Sequence, residues 1–156
     1  MHRLLPIGAL LAIAALTALG ATAAATGFSA YRSQVNAICR AFTPKLKRLE
    51  SDMEAAQRKG DKHRYAYDFG AILGLSLRQG VRIENTPVPS DGRARMARPL
   101  RLLHTADGQL RNAITAATSG DANRFTSELT KLTKITGPLN RSFDAVGLQD
   151  CGSRQT

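Results

Sequence analysis

The chain has 156 residues, a length that fits one domain, and its 22 Lys and Arg against 12 Asp and Glu give a formal net charge of +10. Apolar residues make up 43% of the chain and charged residues 22%, which excludes a disordered tail or a low-complexity fibre. Five Phe and three Tyr without any Trp are too few for a base-stacking platform, and two Cys with three His are too few for a multi-ligand zinc site. We therefore expect neither specific nucleic-acid recognition nor a bound metal.

Residues 1–25 have the features of a signal peptide. Arg3 gives a positive start, residues 4–19 form an apolar run, and residues 20–25 supply small side chains with two overlapping Ala-x-Ala patterns. The alternative is an uncleaved membrane anchor, because residues 4–25 are long enough to cross about 30 Å of hydrocarbon as a helix. We expect cleavage, since Gly and small residues make a poor end for a membrane helix. The mature domain would then cover 26–156 and be secreted or held in the cell envelope.

The first two predicted helices cover about 28–59 and 62–84. Apolar residues recur at every third or fourth position along both segments, which is the helical period. Pro44 interrupts the first stripe and should kink that helix, because proline lacks a backbone N–H and clashes with the preceding turn. Gly60 ends the first helix, and Asp61 is a suitable N-cap for the second.

The second half of the chain predicts two more helices, over about 93–118 and 122–146. The loop at 85–92 contains Pro87 and Pro89 and separates the two halves. Pro99 either starts the third helix or kinks it, and Pro138 interrupts the backbone of the fourth without interrupting its apolar stripe. Asp107 falls where an apolar residue is expected, which predicts a partly wet stripe at that point.

A weak repeat relates the two halves at an offset of 60 residues. The Gly60-Asp61 pair recurs at 120–121, an Arg follows at the same distance in both halves, and Tyr65 corresponds to Phe125. Two interpretations remain open: a duplicated helical hairpin, or the common use of Gly-Asp in tight turns between helices.

Together, the four stripes, two tight turns and one longer loop predict an all-α fold, an antiparallel up-down four-helix bundle with kinked helices. Cys39 and Cys151 are an even pair in an exported chain, so we expect a disulfide between them. The topology agrees with this pairing, because the end of the fourth helix would lie beside the first half of the first helix.

Three short segments resemble small exported all-helical proteins of actinobacteria. They are Asn-Ala-Ile-Cys at 36–39, the Pro-x-Pro loop at 87–89, and Gly-Leu-Gln-Asp-Cys-Gly at 147–152. The resemblance implies an exported helical protein with one long-range disulfide and no assigned activity, so it assigns no functional residues. Some of these proteins resemble lipoproteins, but no Cys directly follows the apolar leader of this chain.

No motif for catalysis or for a cofactor is present in the sequence. No Glu is followed by His at the third position, as a di-iron bundle requires, and no glycine-rich phosphate loop occurs. His104 precedes Asp107 by three residues, a spacing that would allow proton transfer, but a solvated helix face explains the pair better. We therefore expect a non-enzyme without cofactors.

The positive charge is the main functional signal in the sequence. Four guanidinium groups lie within nine residues at the start of the third helix, where the helix dipole favours acidic residues instead; we call Arg93, Arg95, Arg98 and Arg101 the arginine cluster. An anion would relieve this clustering. We expect an exported protein that binds anionic wall polymer or lipid head groups through this surface, and the alternative is a carrier with an apolar cavity between kinked helices. A cluster that serves only as solvated surface is the third interpretation.

Overall fold

The structure, a computed structural model, describes residues 26–154, so the predicted signal peptide lies outside the described residues. The described part is all-helical and consists of α1 (Gly27–Lys59), α2 (Lys62–Glu84), a short 3-10 turn (Ser90–Gly92), α3 (Arg93–Thr118) and α4 (Ala122–Ala145). These bounds differ from the predicted ones by one residue at the start of α1 and one at the end of α4. Within 26–154, no helix is long and apolar enough to cross a membrane.

The three prolines that the sequence places in predicted helices all lie inside continuous helices. Pro44 is within α1, Pro99 within α3 and Pro138 within α4. Pro99 is therefore not the start of α3, which begins at Arg93 directly after the 3-10 turn.

The turns that join α1 to α2 and α3 to α4 have the same structure. Each first helix ends on a glycine in the left-handed region, Gly60 with φ 69° and Gly120 with φ 74°, a conformation that favours glycine. The next residue in each turn is an Asp whose carboxylate accepts a hydrogen bond of 2.9 Å from the backbone N–H three residues later. Buried and exposed positions also follow the same pattern over 61–70 and 121–130. This equivalence favours the duplicated hairpin.

The equivalent turns predict equal effects of equivalent substitutions. Replacing Asp61 or Asp121 by Ala removes the carboxylate cap and should lower the free energy of unfolding by about 1 kcal/mol in each case. Urea unfolding followed by circular dichroism measures the change. Asp61→Ser and Asp121→Ser are the controls, because serine also caps, and each should recover most of the loss. Very different losses at the two positions would contradict the equivalence of the turns.

The four helices pack in chain order into a helical bundle that is open on one side. α1 packs on α2, α2 on α3, and α3 on α4, but no Cα atom of α1 lies within 8 Å of one in α4. The expectation that the C-terminal end of the fourth helix lies beside the first half of the first helix is nevertheless confirmed, because Asn36 of α1 donates a hydrogen bond of 3.1 Å to the carbonyl of Gly147, two residues beyond the end of α4. Gly147, with a φ of 80°, then turns the chain out of the helical direction, and a Cβ at this position would lie 2.8 Å from the guanidinium of Arg32 on α1.

Residues 147–154, which we call the tail, span the gap between α4 and α1. The disulfide between Cys39 and Cys151 is confirmed, with a Cα–Cα distance of 5.2 Å. The side chain of Asn36 donates to the carbonyl of Gly147 at 3.1 Å and accepts from the backbone N–H of Asp150 at 3.2 Å. The carboxylate of Asp150 also pairs with Arg40 at 2.6 Å. One turn of α1 is thus fastened to the tail by covalent, polar and ionic contacts.

The loop between α2 and α3 caps the start of α1. The carboxylate of Asp91 accepts a hydrogen bond of 3.0 Å from the backbone N–H of Phe28, whereas the N-cap residue Thr26 makes no side-chain cap. Gly92 lies against the Phe28 ring so closely that a Cβ at this position would overlap the ring. The Pro-rich loop therefore holds the N-terminal end of α1 in the core.

Candidate functional site

A cavity of about 320 Å³ lies among the four helices. Residues from all four helices line the cavity, together with Cys151 of the disulfide. Most lining side chains are apolar, among them Leu46, Ile72, Leu73, Leu110, Leu132 and Phe143. The volume is at the lower end of the range for small-molecule sites, about 300–1,000 Å³.

The cavity follows from the way in which the core divides. The larger group of buried residues joins all four helices and the tail around Val35, Met96 and Leu148. The smaller group contains Phe42, Leu46 and Leu75 and joins only α1 and α2. Residues of both groups line the cavity, such as Leu46 of the smaller group and Phe143 of the larger one.

Asp107 of α3 is the buried charged group in the cavity wall. Its side chain is only 3% exposed, and its Oδ2 has no hydrogen-bond partner among the described residues. Burial, reinforced by the negative charge of Glu84, raises the pKa of Asp107 from its ordinary value of 3.8 to about 7, against the opposing charges of Arg111 and His104. The expectation of a partly wet stripe at Asp107 is therefore wrong, because the helix turns this carboxyl inward against α2.

Gly80 of α2 makes room for the Asp107 carboxyl. A Cβ at Gly80 would overlap Oδ1 of Asp107 and lie 2.7 Å from its Cγ. Any larger residue at this position would displace the carboxyl or separate α2 from α3. The small-residue position on α2 and the acidic position on α3 thus form one feature of the cavity wall.

His104 and Asp107 are not brought together as an acid–base pair. The His104 ring lies on the exposed face of α3, where its Nδ1 is 3.2 Å from Oε1 of Glu84. The solvated position that the sequence predicts for both residues is correct for His104 and wrong for Asp107.

The arginine cluster covers the exposed face at the start of α3. All four side chains are exposed, and no carboxylate of the described residues lies within 4 Å of them. The guanidinium of Arg95 lies 5.3 Å from the centre of the Phe28 ring, and that of Arg32 lies 5.7 Å from the same centre. Positive charge is thus concentrated at the end of the bundle where α1 begins.

Two buried carboxylates occupy equivalent positions in the two hairpins. Asp68 of α2 pairs with Arg64 at 2.7 Å, and Glu128 of α4 pairs with Lys131 at 2.8 Å. Sequence reasoning missed both, although the offset of 60 residues relates them. Neither residue lines the cavity, and each is connected to the neighbouring helix of its hairpin: Arg64 also pairs with Asp52 of α1 at 3.6 Å, and Glu128 has a side-chain hydrogen bond with Asn112 of α3.

No protein-family model, curated protein or solved structure matches the chain. What the protein does must therefore be inferred from the central cavity and from the charged surface of α3.

Proposed function

We propose that the protein is an exported, non-enzymatic up-down helical bundle that carries a small, mainly apolar ligand in its central cavity. The observation that supports this proposal is the cavity itself, which every helix lines with apolar side chains. The lining includes Leu46 and Glu50 of α1 and five residues of α4, two helices that have no Cα atoms within 8 Å of each other. The disulfide and the hydrogen bond of Asn36 join α1 to the segment that follows α4.

The apolar lining supplies the binding energy in this proposal. Each square ångström of apolar ligand surface removed from water contributes about 25 cal/mol, before the cost of association is subtracted. A compact aromatic or branched ligand makes the best use of a cavity of about 320 Å³. The polar lining residues Gln79 and Asn140 would orient such a ligand without dominating its affinity.

Titration with the neutral fluorescent probe N-phenyl-1-naphthylamine tests the carrier proposal. We expect saturable binding of one probe per chain, with an affinity that does not change between low and high salt. Ser76→Phe places a ring at the cavity wall and should weaken binding at least tenfold. Ala66→Phe adds the same ring at an exposed position of the same helix and should leave binding unchanged.

Two outcomes would contradict the carrier proposal. One is the absence of saturable binding to the wild-type chain. The other is equal affinity in the wild type and in Ser76→Phe when circular dichroism shows that the variant is folded.

A second candidate function is the binding of anionic wall polymer or lipid head groups by the arginine cluster. The observation that favours it is the exposure of four guanidinium groups without a carboxylate nearby. Arg binds phosphate and carboxylate groups in bidentate fashion, which suits polymers and lipid surfaces that repeat such groups.

Replacing the arginine cluster by Gln should abolish binding to vesicles rich in phosphatidylglycerol, or weaken it at least tenfold, at about 50 mM salt, where screening is modest. Co-sedimentation measures the bound fraction. The matched control removes the same charge from exposed positions of α1, through Lys45→Gln, Lys47→Gln, Arg48→Gln and Lys59→Gln. If both quadruple variants lose the same affinity, or if the wild type ignores the vesicles, the cluster is only a solvated surface.

A further inference from the structure

Resting on the proposed carrier function, we infer that the ligand is an amphipathic amine, with a protonated amino group that pairs with Asp107 and an apolar body that fills the central cavity.

The charge of the cavity lining is opposite to that of the protein. The chain contains 22 Lys and Arg, but its described cavity lining contains no Lys, Arg or His. The two ionisable residues in the lining are both acidic, Asp107 on α3 and Glu50 on α1. A ligand with a positive group is thus the one whose charge complements the interior.

Asp107 is a buried acidic group that lacks, within the described part of the chain, a hydrogen-bond donor for one of its oxygens. The carboxyl is almost fully buried, and its Oδ2 has no hydrogen-bond partner among the described residues. A buried polar group without a partner is unfavourable, so a donor that reaches it gains more than the same contact would give in water. A primary ammonium group supplies both the donor and the charge.

The charged surroundings of Asp107 determine how amine binding depends on pH. Glu84 of α2 acts on Asp107 with negative charge, whereas Arg111 and His104 of α3 act with positive charge. From α1 the charged residue of the lining is Glu50, which is exposed, and α4 contributes uncharged lining residues. Since burial holds the pKa of Asp107 at about 7, binding of an ammonium ion must displace a proton at lower pH. Amine affinity should therefore rise with pH up to about 7 and then level off.

A matched pair of probes separates the amine from its apolar body. 2-(1-Naphthyl)ethylamine and 2-(1-naphthyl)ethanol have the same ring and chain, and only the amine is charged. Isothermal titration calorimetry at pH 8 should give at least tenfold tighter binding of the amine to the wild type. Lowering the pH to 5.5 should weaken amine binding at least tenfold and leave alcohol binding unchanged within twofold.

Asp107→Asn keeps the shape of the side chain and removes its charge. In this variant the amine should bind no more tightly than the alcohol. Glu50→Gln is the control, because it removes the other acidic group of the lining and should keep the preference. If Asp107→Asn does not fold, the pH dependence of the two probes in the wild type decides the question.

The outcomes distinguish this inference from the carrier proposal on which it rests. If the alcohol and the neutral probe bind but the amine has no advantage, the amine inference is wrong and the carrier proposal stands. If Asp107→Asn retains the preference, Asp107 is not the partner of the amine. If none of the probes binds, both proposals are wrong.

Discussion

Replacement of Cys39 and Cys151 by Ala is expected to lower the free energy of unfolding by about 4 to 5 kcal/mol, the largest effect of any substitution considered for this chain. The disulfide closes a loop of 112 residues, so its loss returns a large conformational entropy to the unfolded chain. It also holds the tail across the gap between two helices that have no close backbone contact. A loss of this size corresponds to a decrease in melting temperature on the order of 15 °C.

Urea unfolding with and without dithiothreitol measures this contribution. Reduction should destabilise the wild type by nearly the same amount as the double substitution and should have no effect on the doubly substituted chain. A loss below about 1 kcal/mol would contradict the contribution expected from the entropy of loop closure.

The second large effect concerns the pH dependence of stability at Asp107. In the folded chain the pKa of Asp107 is raised from 3.8 to about 7. Between these two pH values the folded state therefore keeps a proton that the unfolded state has released. Stability therefore falls as the pH rises from about 4 to 7, by up to about 4 kcal/mol in total. Below this window both states are protonated and the penalty is absent, and above it the full penalty remains.

Comparison with Asp107→Asn isolates this contribution from the other titrating groups. The difference in unfolding free energy between the variant and the wild type should shift in favour of the variant by about 1.4 kcal/mol per pH unit inside the window. Glu84→Gln should reduce the effect, because the negative charge of Glu84 contributes to the raised pKa. A constant difference from pH 4 to 7 would mean that Asp107 ionises normally in the folded protein.

The helices were predictable because each carries its own signals. Apolar stripes at the helical period, Gly60 and Asp61 at one turn, and their counterparts at the other all act over a few residues. Cys39 and Cys151 could be paired because the sequence contains no other cysteine. The wider spacing of α1 and α4, which have no Cα atoms within 8 Å of each other, was not predictable, since it depends on how all four helices and the tail pack together.

The burial of Asp107 against Gly80 could not be predicted, because in the sequence each of these two residues has its own simpler interpretation. Gly80 fits close helix packing, and an Asp in an apolar stripe fits a solvated position. Only the packing of α2 on α3 brings the two together and encloses the carboxyl. The available signal was a glycine on one helix matched to an acidic residue on the next, which becomes informative once the pairing of the helices is known.

Nuclear magnetic resonance of the methyl-labelled protein with bound N-phenyl-1-naphthylamine tests the carrier function most directly. The cavity predicts intermolecular nuclear Overhauser effects from the probe rings to methyl groups of Ile72, Leu73, Leu110 and Leu132, which line it from α2, α3 and α4. These contacts should disappear in Ser76→Phe. Contacts confined to methyl groups outside the lining, such as those of Leu77 and Val81, would place the probe on the surface and contradict the proposed function.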